Sequence, residues 1–464
     1  MSKPMTLGQL KASGYQSRTV KAEMRQNLLA LVRCGQPLFQ GIVGFEETVI
    51  PQLENAVVSG HDIILLGERG QAKTRLARSL VQLLDEEIPV MAECEINDNP
   101  FQPICRSCRD RLERYGDQVE IEWLSRERRY GEKLSTPDIT IADLIGEVDP
   151  IKVAEGRYLS DELVIHFGLI PRTNRGILCI NELPDLVERI QVGLLNIMEE
   201  RDVQIRGYKV RLPLDLFVVA SANPEDYTNR GRIITPLKDR FGSQIRTHYP
   251  RTIGHEIEIM EQEGTPYDFQ GLERIYPNYM KEIVAEFTHL ARRSPEINQR
   301  SGVSVRVSIC NYENLMSNAL RRAIRLGEKW VIPRISDLSS VVASTAGKIE
   351  LETLGEERDE KVIEKLLHGA VLRTFRRHFS IQELQEFVAA FDLGLSVEVA
   401  ENMPSMDCVQ QVVDISGLKP AIAKLGAEGN PALVASAIEF ILEGLHTERK
   451  LNKDQMAGKS LYHR

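Results

Sequence analysis

The sequence has no apolar run long enough to cross a bilayer. Its longest stretches, such as Leu216 to Ala220, fall far short of the roughly 20 residues a membrane helix needs. The N-terminal Met1-Ser2-Lys3-Pro4-Met5-Thr6-Leu7 lacks the hydrophobic core of a secretory signal. Cysteine is scarce and odd in number, 7 in 464 residues, which excludes a disulfide scaffold and fits reduced thiols. Basic charge is not in excess. The 58 Lys and Arg against 67 Asp and Glu leave a formal charge of −9, so no global field draws the chain to nucleic acid. No repeat or low-complexity tract appears. What is present, 42% apolar and 27% charged residues, is ordinary for a globular protein of about three domains. A soluble, cytoplasmic protein without a membrane span is expected.

Residues 1–40 read as a helical segment, with Ser17 capping a helix whose apolar face includes Val20, Met24, Leu28 and Leu29. Across residues 41–250 short apolar runs alternate with helical patterns. Strands are expected at Asp62 to Leu66, Gly176 to Ile180 and Leu216 to Ala220, the pattern of a parallel sheet flanked by helices. Beyond Tyr249-Pro250 the β signal ends. Residues 251–350 and, after a boundary near Gly355, residues 351–464 are expected to be helical, with Lys329 to Asp337 as a connection. Asn430-Pro431 is an N-cap followed by proline at the first helical position. It opens a helix with one apolar stripe through Leu433, Ala437, Ile441 and Leu445.

The most informative segment joins the first strand to a helix through Gly67-Glu68-Arg69-Gly70-Gln71-Ala72-Lys73-Thr74-Arg75. Triphosphate binding needs this order. Backbone N–H groups of the turn wrap the phosphates, Lys73 neutralises their outer oxygens, and the Thr74 hydroxyl ligates Mg²⁺. The strict G-x-x-x-x-G-K-[ST] pattern has glycine where this chain has Ala72. The second strand runs into Asn181-Glu182, where such proteins usually carry Asp-Glu. Glu182 can activate the attacking water, and Asn181 can bond a metal-bound water without adding charge. Asn181→Asp is therefore expected to lower the Mg²⁺ requirement. The third strand ends at Asn223, whose amide can hold the same water or the γ-phosphate, and Arg240 follows as a candidate arginine finger. Asp202 to Pro213 alternates apolar and polar residues around Arg206-Gly207-Tyr208, a hairpin signature.

Cys94, Cys105 and Cys108 form a separate cluster. Three thiolates could bind zinc if a fourth ligand came from elsewhere, but no second C-x-x-C follows. A redox pair is another option, and reduced thiols without a ligand are the leading reading.

Residues 41 to about 345 resemble the AAA+ ATPases of the magnesium-chelatase and MoxR group. Gly67-Glu68-Arg69-Gly70 is similar to the chelatase ATPase subunit's phosphate loop, and the Ala72-Lys73-Thr74 ending resembles MoxR proteins. Asp143 to Asp149 and Phe167 to Leu178 resemble the chelatase stretch that contains an insertion in the second helix. The resemblance implies a five-stranded parallel sheet with a helical lid, and adenine contacts at Ile42, Val43 and Gly44. It also implies sensor 1 at Ser221 to Asn223, an arginine finger in Lys238-Asp239-Arg240, and sensor 2 at Arg306. The hairpin then points into the pore of a ring, usually a homo-hexamer, that uses ATP and Mg²⁺ to remodel or activate a partner. Since the chain carries no von Willebrand A domain, a separately encoded protein with that domain is a candidate partner. Alternatives are a metal-chelatase subunit, a nucleotide-gated scaffold, and a DNA motor like the MCM helicases.

Overall fold

The computed structural model describes residues 3–149, 164–200, 212–223, 232–265, 271–299, 301–351, 356–412, 414–456 and 458–464. Two compact units divide the chain, Met1–His248 and Tyr249–Arg464.

In the first unit, α1 (Leu7–Ala12) and α2 (Val20–Arg33) are capped by Thr6 and Thr19. Ser17, the expected cap of α2, instead accepts a hydrogen bond from Asn99 Nδ2 at 2.9 Å. Thr19, adjacent to the helix, is the hydroxyl that reaches the Ala22 N–H. After α3 (Val49–Ser59) come β1 (Ile63–Leu66) and α4 (Lys73–Ser79). An antiparallel pair, β2 (Glu87–Met91) and β3 (Ile121–Ser125), brackets α5 (Arg106–Tyr115). There follow β4 (Tyr130–Leu134), α6 (Ile141–Leu144), the paired β5 (Gly146–Val148) and β6 (Ile165–Phe167), and α7 (Leu169–Arg172). The unit is completed by β7 (Gly176–Asn181), α8 (Glu188–Glu200), β8 (Leu216–Ala222), α9 (Thr235–Arg240) and β9 (Ser243–Arg246).

Five of these strands form one parallel sheet in the order β4-β7-β8-β1-β9, so β1 lies between β8 and β9. Both faces are buried, which explains why the central strands read as continuous apolar runs. Ile63, Leu65, Ile177, Cys179, Phe217 and Val219 face one core with α2, α3 and α4. Ile64, Leu178, Ile180, Val218 and Ala220 face a second core with α8 and Leu237 of α9. The N-terminal segment belongs to this unit through an ion pair in its interior. Glu23 of α2 takes a bidentate contact from Arg129, at 2.7 and 2.6 Å, and both side chains are almost wholly buried. Glu23 Oε1 also accepts the Asp85 N–H, and Arg129 Nε donates to Arg175 O.

The second unit contains α10 (Ile253–Glu263), α11 (Asn278–Ala291), α12 (Arg306–Leu326), α13 (Val341–Thr345), α14 (Glu356–His378), α15 (Gln385–Asp392), α16 (Ser405–Gln410), α17 (Leu418–Lys424) and α18 (Pro431–Thr447). A large hydrophobic core runs from Met260 to Tyr462, beside a smaller one of Met316, Ala319, Ala323 and Val331, so residues on both sides of 350 share the larger. Asn430 Oδ1 accepts the Ala432 N–H at 2.9 Å, as the N-cap reading requires, and the apolar stripe of α18 is buried in this core. The β signal does not end at Pro250. A short parallel pair, β10 (Glu273–Arg274) and β11 (Trp330–Val331), lies within the unit. The antiparallel sheet β12-β14-β13 joins Val397–Ala400, Lys459–His463 and Asn452–Met456. Its last two strands escape sequence reading because they are rich in Lys, Asp and Gln, and among their described side chains Tyr462 is the one that enters the core.

Removing one member of a buried ion pair leaves the other charged and desolvated, at a cost of about 3–5 kcal/mol. Glu23→Ala should therefore lower the stability of the first unit by that amount in urea unfolding. A loss below about 1 kcal/mol, the level of an exposed pair, would show that the contact does not hold α2 in place.

Candidate nucleotide site

The site begins where β1 leaves the sheet. A Cβ on Gly67 would lie 1.9 Å from Thr247 Oγ1 and 2.2 Å from Gln71 Oε1, so only glycine fits. Its N–H donates to Ala222 O of the neighbouring strand at 3.2 Å. Gln71 is buried and accepts from Thr247 Oγ1 at 2.7 Å, which fixes the inside of the turn. Gly70 and Ala72 both have left-handed backbones, at φ +77° and +55°. Ala72 thus keeps the conformation for which glycine is usual, and its methyl group points to solvent. Thr74, Arg69 and Arg75 are also exposed around the loop.

Lys73 opens α4 and turns back over the loop. Its Nζ donates to Glu68 O and Asn223 Oδ1, each at 2.8 Å, and to Gly67 O. Lys73 at the start of α4 and Asn223 just beyond β8, far apart in sequence, are therefore in direct contact. A cation inside a turn of backbone dipoles is a donor set that suits a polyphosphate.

At the adjacent strand end, Asn181 Oδ1 accepts from Ser221 Oγ at 3.2 Å, and Ser221 Oγ accepts the Glu182 N–H at 3.2 Å. Glu182 itself has a left-handed backbone, φ +56° and ψ 48°. The Cys179 thiol two residues earlier is pushed up to about 12 by burial and stays neutral in the core. Asn181 Nδ2 donates to Glu132 Oε1 of β4 at 2.7 Å. The other Glu132 oxygen meets Arg78 of α4 at 2.6 Å, and this hydrogen bond holds the guanidinium above its ordinary value. Glu132 is the residue that sequence reading missed, because β4 mixes Glu132 and Lys133 into its alternation and does not read as a strand. A carboxylate thus stands beside Asn181, although residue 181 itself is uncharged.

Ile42 is buried, and Val43 and Gly44 are partly exposed beside it, Gly44 with φ +81°. Ile42 and Phe45 join the same core as Leu76 and Leu80 behind the phosphate loop. Arg240, the last residue of α9, pairs with Glu199 of α8, both part exposed. Arg306 is the exposed first residue of α12, in the second unit. Most of the expected hairpin, residues 201–211, lies outside the described residues.

A parallel sheet whose first strand lies between the fourth and fifth, with a phosphate loop after it and polar ends on its neighbours, is the AAA+ form of the P-loop fold. No protein-family model matches the chain. Curated relatives include the magnesium-chelatase subunit ChlI of Nostoc sp., 27% identical over 269 residues, which covers 56% of this chain and 65% of that one. The Nephroselmis olivacea ChlI subunit is 24% identical over 333 residues, covering 66% and 86%. The chain thus spans just under two thirds of the Nostoc subunit. Among solved structures, a BchI–BchD complex of magnesium chelatase matches at a TM-score of 0.35 and 19% identity, over 70% of this chain and 97% of that one. In motif order and in these curated relatives, the chain is similar to the AAA+ ATPase subunits of magnesium chelatase.

A left-handed backbone costs a non-glycine residue on the order of 1–2 kcal/mol, part of it offset by the greater chain entropy of unfolded glycine. Ala72→Gly should leave the protein as stable or up to about 1 kcal/mol more stable, whereas Gly70→Ala should destabilise it by a similar amount. Thermal unfolding of the two variants checks this, and a clear loss in Ala72→Gly would contradict the loop geometry.

Proposed function

We propose that the chain hydrolyses ATP as a subunit of a ring and couples that cycle to remodelling or activating a partner protein complex. The observation that carries this reading is the Lys73 ammonium, held by loop carbonyls and Asn223 at the edge of the sheet. Phosphate oxygens entering the loop would replace those carbonyls as its acceptors. In this reading Gly67 to Arg75 wrap the triphosphate, and Ile42, Val43 and Gly44 border the adenine. Glu182 takes the proton of the attacking water while Asn223 orients it. Mg²⁺, when bound, screens charge on the phosphates; Thr74 would hold it, with Asn181 reaching one of its waters. Arg240 would leave Glu199 and act on nucleotide in the neighbouring subunit. Arg306 is the sensor 2 candidate. We expect a homo-hexamer in the cytoplasm, a pore-facing hairpin at residues 202–213, and a partner of the von Willebrand A-domain kind. The names of the curated relatives make metal insertion the second reading.

We assign functional domains at 1–40, 41–250, 251–350 and 351–464, with the two middle ones serving as nucleotide-binding domain and lid. Among the described residues no helix is long and apolar enough to cross a membrane.

Lys73→Ala should abolish ATP binding by removing the phosphate countercharge. Glu182→Gln should bind ATP and lose about 10²–10⁴-fold in turnover. Nucleotide binding and steady-state ATPase measurements separate the two effects, and normal turnover in Glu182→Gln would remove that residue from the mechanism. The same variant, holding ATP without cleaving it, should co-purify the partner from cells.

Glu132 changes the expectation for Asn181. With Glu132 2.7 Å away, an aspartate at 181 sets two carboxylates in contact, so Asn181→Asp alone should lower stability rather than simply favour Mg²⁺. The pair needs one negative charge, on either strand. Glu132→Gln should raise the Mg²⁺ concentration for half-maximal ATPase on the order of tenfold, and Glu132→Gln with Asn181→Asp should restore it. Unchanged Mg²⁺ titration curves in Glu132→Gln would place this pair outside the metal's reach.

A further inference from the structure

The cysteine cluster has a fourth member that spacing does not reveal. The ligand atoms of Cys94, Asp98, Cys105 and Cys108 all lie within 4.8 Å of one another. We infer that these four residues form a structural zinc site. Tetrahedral zinc, with bonds of about 2.3 Å to sulfur and about 2.0 Å to oxygen, brings its ligands roughly 3.5–3.8 Å apart. Closing the cluster to that geometry needs only a small contraction.

Its surroundings are arranged for anionic ligands. The Asp98 N–H donates to Cys94 Sγ at 3.4 Å, and the Cys108 N–H donates to Cys105 Sγ at 3.3 Å. Both bonds favour thiolate over thiol. Asp98 has no exposed surface, and its Oδ2 accepts the N–H groups of Ile104 and Cys105 at 3.1 and 2.9 Å. Its Oδ1 is buried and, among the described residues, has no hydrogen-bond partner. One oxygen is thus fixed by the backbone and the other is left without a partner among the described residues, while the carboxylate offers an oxygen within 4.8 Å of the three sulfurs. This is the division of labour expected of a monodentate carboxylate ligand with its outer-shell support.

Three thiolates and a carboxylate leave a net charge of −2 around Zn²⁺, the same as in a four-cysteine site. The ten-residue helix α5 starts immediately after Cys105, so its positive end offsets part of that charge. Soft sulfur ligands select zinc over Mg²⁺, and a closed four-ligand set leaves no position for substrate, so the ion's role is structural. The chain between β2 and α5 has little regular structure of its own, and Glu93 and Asn97 both adopt left-handed backbones at φ +56°. A metal crosslink would hold that segment where hydrogen bonding alone leaves it strained.

The test uses the full chain, expressed with zinc and purified under reducing conditions. Elemental analysis should find about one zinc per chain, and Cys108→Ser should lose most of it. Replacement by Co²⁺ should give the visible bands of a tetrahedral ion with a thiolate charge-transfer band. Asp98→Cys, which keeps four ligands if Asp98→Ala fails to fold, should retain the metal and raise that band by about one third, from three thiolates to four. Folded wild-type protein with substoichiometric zinc and no cobalt bands would overturn the site. Iron in place of zinc would overturn the choice of metal, and a cobalt spectrum unchanged in Asp98→Ala or Asp98→Cys would overturn the fourth ligand.

Discussion

The candidate site depends on where one ammonium group is held. Lys73 Nζ has two loop carbonyls and the Asn223 amide oxygen among its acceptors. A parallel sheet makes this possible, because it brings the carboxyl ends of β1, β7 and β8 to one edge while burying the rest of each strand. The loop supplies dipoles, the lysine supplies charge, and the neighbouring strands supply polar groups that reach the same edge.

Backbone strain marks the same places. Among the described residues six non-glycine residues have left-handed backbones, and two of them are Ala72, at the end of the phosphate loop, and Glu182, at the end of β7. Each conformation costs free energy locally, of order 1–3 kcal/mol, and persists only where the surrounding structure over-determines it. At Glu182 the Ser221 hydroxyl takes the N–H, and the same hydroxyl bonds Asn181. The backbone at Glu182 is therefore tied to β8, a strand two steps away in the sheet order from β4 and its Glu132. Glu132 in turn links Asn181 to Arg78 on the helix that begins with Lys73, so β4, β7, β8 and α4 form one connected polar network.

What sequence could and could not reveal follows from where the signal lies. Strands buried on both faces, such as Ile63–Leu66 and Leu216–Ala222, are continuous apolar runs and were readable, as was the loop with its lysine and threonine. The edge strands Tyr130–Leu134 and Ser243–Arg246 carry charged residues and have no such run, and with β4 went Glu132. Asp98 was invisible as a ligand because an acidic residue near a cysteine is ordinary until the fold buries its carboxylate against the sulfurs. The C-terminal sheet was missed for the reason that hid β4. The Asn430 cap was readable because capping is a local interaction, whereas the choice of Thr19 over Ser17 depended on Asn99, more than eighty residues away.

The account's central claim is a nucleotide site completed by a neighbouring subunit. The most direct test mixes Lys73→Ala subunits, which lack the phosphate countercharge, with Arg240→Ala subunits, which keep an intact loop but lack the finger. Each alone should hydrolyse ATP at least about 10³-fold more slowly than wild type. In mixed rings, an Arg240→Ala site next to a Lys73→Ala subunit receives the arginine it lacks, so activity should reappear and rise with the mixing ratio to a maximum. Rings shown to exchange subunits that nevertheless remain inactive at every ratio would contradict a site shared between subunits.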